Sequence, residues 1–137
     1  MGTARIAPLI EWSRQYEVGI RFIDGQHRQM LDLVNRVLES AHQGKDLDEL
    51  VAVLRDLVRL TEHHFRAEET RMAEHGADAD QHRGEHRDLV ASLQRFTDRL
   101  DAATAGECSV FLRDWLLRHI ESTDRPFAAF LRERGVS

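Results

Sequence analysis

The chain is short of the residues on which several protein classes depend. Of its 137 residues only one is cysteine, Cys108, which excludes an internal disulfide and a thiolate metal site. Only two are proline, Pro8 and Pro126, which leaves more than a hundred consecutive residues free of the strongest helix breaker. No apolar run approaches the roughly 20 residues of a membrane span, so no membrane partner is expected. There is no basic excess: 19 Lys+Arg stand against 24 Asp+Glu, a formal charge of −5. A protein held to phosphates shows a basic face, so nucleic acid is not an expected partner either. Residues 1 to 10 carry one Arg and no apolar stretch of the length a secretory leader needs. Ile6 stands where the myristoylation pattern has Ser or Thr. A cytoplasmic protein is expected. What the chain does have is histidine, eight of them, on a background of 42% hydrophobic and 31% charged residues typical of a folded domain.

No internal repeat, low-complexity segment or linker divides the sequence, so a single domain over residues 1–137 is expected, with an irregular arm over 1–22 and a helical bundle over 23–133. Four segments show helical periodicity. In the first, Asp24 to Gln43, Met30, Leu31, Val34, Val37, Leu38 and Ala41 form an apolar stripe. Asp24 is its expected N-cap and Gly44 its end. Asp46 and Glu49 open the second like a capping box. Its stripe runs from Leu47 through Leu50, Leu54, Leu57, Val58, Thr61 and Phe65 to Met72, with Gly76 as terminator. The third opens at Asp78 and Gln81, carries His82, His86, Leu89, Leu93, Phe96 and Leu100 on one face, and is followed by Gly106. The fourth starts near Ser109 and carries Phe111, Leu112, Trp115, Leu116, His119, Ile120, Phe127 and Phe130. Nothing alternates with the period of a strand. Short connections between long helices predict an all-α, up-down-up-down antiparallel four-helix bundle.

The chemistry lies in the polar residues on those stripes. His27 precedes Met30 by three positions and shares the inner face of the first helix. His64 and Glu68 are four apart on the second, and His82 and His86 four apart on the third, so each pair stacks on one face. His119 lies on the inner face of the fourth, with Asp124 five residues on. In an antiparallel bundle the start of the first helix, the end of the second, the start of the third and the end of the fourth share one end. All seven residues fall there.

Burying five imidazoles and two carboxylates without partners would cost several kcal/mol. Metal ions remove that cost, and imidazole with carboxylate suits first-row metals such as iron or zinc. Seven ligands exceed one tetrahedral zinc but fit two octahedral ions with bridging carboxylates. A lone inner-face histidine is ordinarily a core residue bonded to a carbonyl; this set is different because it gathers at one end from four helices. His42, His63 and His75 lie off the stripes or at helix ends and are expected to be solvated.

One detail resists a regular helix. A spacing of five puts Asp124 about 140° from His119. Pro126 cannot donate to the carbonyl of Ser122, and its ring crowds that carbonyl. A kink or π-type bulge between His119 and Pro126 is therefore expected, swinging Asp124 inward.

Taken together, Trp12, Val18-Gly19-Ile20 and Ile23-Asp24-x-Gln26-His27 resemble the opening of bacterial hemerythrins. His64-Phe65-x-x-Glu68-Glu69 resembles the second-helix motif of that family, and His82-x3-His86 and His119-x4-Asp124 complete its pattern. The resemblance spans residues 12 to 130. It implies a four-helix bundle with two non-haem iron ions joined by an oxo or hydroxo group, binding O₂ reversibly rather than acting as an enzyme. Carried over by position, His82, His86 and His119 would hold one iron. His27 and His64 would hold the other, with a site open for O₂, and Glu68 and Asp124 would bridge the two. Phe65, Trp115, Leu116 and Ile120 match the apolar walls of the O₂ pocket. Oxygen carriage, storage or delivery in a bacterial cell would follow, by a monomer with an unknown protein client.

Three other readings stand beside it. A ferritin-like di-iron oxidase uses two Glu-x-x-His motifs; here only Glu39-x-x-His42 has that form, at the wrong end of its helix. His82-Arg83-Gly84-Glu85-His86 matches the H-x-x-E-H signature of a zinc protease, but that reading leaves His27, His64, Glu68, His119 and Asp124 without a role. A module that senses O₂ or redox state and acts on a partner in trans would use the same centre.

Overall fold

The computed structural model describes residues 10–44, 46–101 and 107–137, and it is all-helical. A 3₁₀ turn over Arg14–Tyr16 leads into α1 (Arg21–His42), followed by α2 (Leu47–Glu74) and α3 (Asp80–Arg99). The fourth rod is continuous but not uniform: α4 (Cys108–Arg118) runs into a π-helical turn (His119–Asp124) and then α5 (Arg125–Glu133). There is no strand among the described residues. Residues 1–9 and Gly106, the expected end of the third helix, lie outside them. No helix among them is long and apolar enough to cross a membrane.

The architecture is the four-helix bundle expected from the four stripes. α1 packs against α2 and α4, and α2 against α3. Met30, Val34, Val37, Leu54, Leu57, Leu93 and Leu112 are fully enclosed at its centre. Burying each such side chain stabilises the fold by about 1.5–3 kcal/mol. α3 is the least enclosed helix, with only His86, Leu93 and Thr97 buried; its stripe residues His82, Leu89 and Phe96 are half-buried.

Helix ends follow local chemistry. Asp46 caps α2, its carboxylate accepting from the Asp48 N–H at 3.1 Å. α2 closes in a Schellman motif: Gly76 takes φ +76°, and the N–H of Ala77 donates to the Met72 carbonyl at 2.8 Å. The expected role of Asp24 is corrected. α1 begins three residues earlier, with Ile20 as N-cap and no side-chain cap. Asp24 instead sits inside the first turn and reaches back, accepting from the N–H of Val18 at 2.8 Å and of Gly19 at 3.2 Å. Asp78 likewise stands two residues ahead of α3, where its carboxylate accepts the Asp80 N–H at 3.0 Å.

The arm is tied down along its described length. The Ile10 N–H donates to Asn35 Oδ1, and Asn35 Nδ2 donates back to the Ile10 carbonyl. Val18 and Ile20 are buried in the core. Arg125 donates to the carbonyls of Gln15 and Glu17, and Arg132 to that of Val18. The arm therefore locks onto the segment that follows the π turn.

Candidate metal centre

The fourth rod widens where the spacing of His119 and Asp124 requires it. The π turn spans those two residues, and the N–H of Arg125 bonds five residues back to the Ile120 carbonyl. Both residues thereby face inward. His119 and Asp124 are each wholly buried, with His119 Nε2 2.6 Å from Asp124 Oδ2.

Around Asp124 Oδ2 the other helices deliver their imidazoles. His27 from α1 meets it through Nε2. His64 from α2 brings Nε2 to 3.0 Å of the same oxygen and to 3.1 Å of His119 Nε2. Atoms of His27, His64, His119 and Asp124 lie within 4.8 Å of one another, and a second group of Glu68, His86 and Asp124 shares the aspartate. Every member is buried.

Glu68, a member of the second group, also reaches toward the first. Its Oε2 lies 3.5 Å from His64 Nε2 and its Oε1 3.2 Å from His86 Nε2. Neither oxygen of Glu68, nor His86 Nε2, nor Asp124 Oδ1 has a hydrogen-bond partner. These atoms are near one another without the alignment of hydrogen bonds. The donor atoms of each group gather within 4.8 Å of one another, which fits cations between them.

The electrostatics agree. Burial pushes the Glu68 carboxyl well above its ordinary range, and the charge of Asp124 adds to the shift. For Asp124, burial acts to raise the carboxyl, but the imidazoles beside it, His119 first and then His27, hold it well below its ordinary value. Without a cation, two carboxyl groups in one dry pocket cannot both ionise. Burial also lowers the imidazoles: His64 to about 4, with His86 and His119 shifted the same way. Neutral imidazoles are the form that binds metal.

His82 does not join the cluster. It is half-buried at the start of α3, and its Nε2 lies 3.3 Å from the carbonyl oxygen of Thr123 inside the π turn. Its ring is 5.7 Å from that of His86. His63 is exposed, while His42 and His75 are half-buried rather than fully solvated; none of the three belongs to the two groups.

Apolar groups close the site. The Phe65 ring stacks on His86 at 3.9 Å between centroids and lies 4.9 Å from the His119 ring. Trp115 lies nearly parallel to His119 at 6.4 Å, its Nε1 donating to the Leu89 carbonyl at 3.0 Å. Phe65, Trp115, Leu116 and Ile120 are all buried.

A hemerythrin HHE cation-binding domain model matches residues 18–131. The chain belongs to the hemerythrin family. It is 32% identical to a bacteriohemerythrin of Methylococcus capsulatus, over 90% of this chain and 97% of that protein. A bacteriohemerythrin of Pseudomonas aeruginosa is 29% identical over 88% of this chain and 80% of its own length. The myohemerythrin of Riftia pachyptila is 27% identical over 82% and 86%. The buried His/Glu/Asp cluster of this hemerythrin domain is able to hold metal.

Two residues at the centre had no role in the sequence reading. Gln26 Oε1 accepts from His64 Nδ1 at 2.5 Å, and Glu69 Oε2 accepts from His86 Nδ1 at 2.9 Å. Each is the chain neighbour of a predicted ligand, Gln26 of His27 and Glu69 of Glu68. Each nevertheless serves a histidine on a different helix, and that pairing depends on how the helices dock.

Proposed function

We propose that this hemerythrin domain binds O₂ reversibly at two non-haem iron ions held in its buried cluster. The observation that carries the reading is the set of unpartnered atoms: both oxygens of Glu68, His86 Nε2 and Asp124 Oδ1, all wholly enclosed. In the proposed assignment His82, His86 and His119 would hold one iron and His27 and His64 the other, although His119 here stands nearest His27 and His64, with its Nε2 3.1 Å from His64 Nε2. Glu68 and Asp124 would serve both ions, beside an oxo or hydroxo group. His82 reaches its place by giving up its bond to the Thr123 carbonyl. When bound, the iron pair supplies the two electrons that retain O₂ without oxidising a substrate, so the protein serves as an oxygen carrier or store rather than an enzyme.

The remaining residues act on water and protons. Phe65, Trp115, Leu116 and Ile120 keep the interior dry. By excluding water they would keep protons away from the place where O₂ is to bind, which favours its return unchanged. A ligand set of five imidazoles and two carboxylates carries less negative charge than a carboxylate-rich one, which favours binding O₂ over activating it.

The test is optical. The iron-loaded protein, reduced anaerobically and then exposed to O₂, develops a visible absorption band that disappears on deoxygenation and returns on re-exposure. Immediate, irreversible conversion to the diferric form would replace carriage with an oxidase reading.

A further inference from the structure

We propose that Glu69 is the positioning residue for His86, braced from solvent by Arg83, and that this pair fixes which nitrogen His86 presents to the centre. The inference rests on the two-metal reading for its purpose, but not for its geometry.

Glu69 follows Glu68 on α2 and faces another way. Its Oε2 meets His86 Nδ1 at 2.9 Å, while its Oε1 lies 3.5 Å from Arg83 Nε. Arg83, one turn before His86 on α3, also donates through NH1 to Asp80 at 2.8 Å. The result is a chain of polar side chains from the surface inward: Asp80, Arg83, Glu69, His86, Glu68. It opens on a cleft of about 750 Å³ between α2 and α3 that Phe65, Glu69, Arg83 and His86 all line.

The two ends of the imidazole then have separate tasks. An ionised carboxylate only accepts, so Nδ1 must carry the hydrogen and Nε2 is left with its lone pair directed at Glu68. The flat face of the ring is fixed independently by Phe65, stacked at 3.9 Å with 2° between planes. Stacking sets the plane, but a flipped ring would stack equally well; the hydrogen bond to Glu69 marks Nδ1 as the nitrogen that carries the hydrogen. Outer partners of this kind typically contribute 10–100-fold to metal affinity. His64 is held at the corresponding nitrogen by the uncharged amide of Gln26. The carboxylate therefore makes His86 the stronger donor of the two.

Two measurements test this on Glu69→Ala, Glu69→Gln, Arg83→Gln and Glu62→Gln, the last a charge control in the same cleft. In the metal-free chain, ¹⁵N NMR of His86 reports the Nδ1–H tautomer in the wild type, in Glu62→Gln and in Glu69→Gln, whose amide oxygen still accepts. Glu69→Ala gives a mixture of tautomers. In iron-loaded protein, a chelator removes iron at least tenfold faster from Glu69→Ala than from the wild type, with Arg83→Gln and Glu69→Gln in between. A wild-type tautomer and release rate in Glu69→Ala would overturn the inference. If the wild type takes up no iron, the two-metal reading fails, and the tautomer measurement still decides the role of Glu69.

Discussion

At the scale of single residues, the centre is governed by the cost of burying what cannot be solvated. Glu68 belongs to one group and approaches His64 of the other, with no donor for either oxygen. Replacing it by alanine removes a ligand of the proposed iron pair, so Glu68→Ala is expected to retain at most one iron of two by elemental analysis. His42→Ala, His63→Ala and His75→Ala are expected to lose none. The lowered imidazoles set the acid response of the metal-free protein. His64 falls from 6.5 to about 4, and His86 and His119 fall too, so the folded chain binds fewer protons than the unfolded one in that window. Their contribution is present above pH 6.5 and is lost as pH falls through about 4. Glu68, raised by burial, opposes them as one group against three. The urea midpoint of the metal-free protein should therefore drop between pH 7 and pH 4.5; an unchanged midpoint would contradict the shifts. Six of the seven predicted ligands are gathered, five as their helical spacing implies and Asp124 through the π turn. His82 is not, because a neighbouring backbone carbonyl competes for its nitrogen, and the sequence pattern carries no sign of that carbonyl.

At the scale of the element, the π turn decides whether Asp124 belongs to the centre. It was legible because two local facts conflict with a regular helix: a spacing of five between two inward residues, and a proline two positions after the second. The start of α1 was less legible. Asp24 has the chemistry of an N-cap, but its carboxylate serves the arm's amides, and Ile20 and Ile23 enter the core at the helix entrance instead. The turn makes a testable claim about register. Deleting Ser122, which is exposed, leaves His119 and Asp124 four apart, a spacing that shares a face in an ordinary α-helix. That variant should keep its iron. Inserting one alanine after Ser122 makes the spacing six and should lose it. Loss of iron on deletion but not on insertion would show that the wide turn is not what brings Asp124 inward.

Across the whole molecule, the arm and the last helix clamp each other beside the centre. Gly19 holds φ +88°, and a Cβ there would come within 2.9 Å of the Arg132 guanidinium. The guanidinium can move aside; the backbone cannot become easy for another residue. Gly19→Ala should cost about 1–2 kcal/mol from the left-handed conformation, read from denaturant unfolding of the metal-free protein. A neutral result would mean that the arm is not locked in this way. The bundle and its polarity followed from four apolar stripes. The half-exposed setting of α3 and the pairings of Gln26 and Glu69 did not, since they depend on how helices far apart in sequence rotate against each other.

The central claim is that the buried residues at one end of the bundle form a two-metal site, and metal counting addresses it most directly. Metal-free protein is given excess ferrous iron without oxygen, desalted, and assayed for iron per chain against wild-type and Asp124→Ala samples. Two irons per wild-type chain and a clear loss in Asp124→Ala are expected. One iron or none in the wild type, or a count indifferent to Asp124, would contradict it.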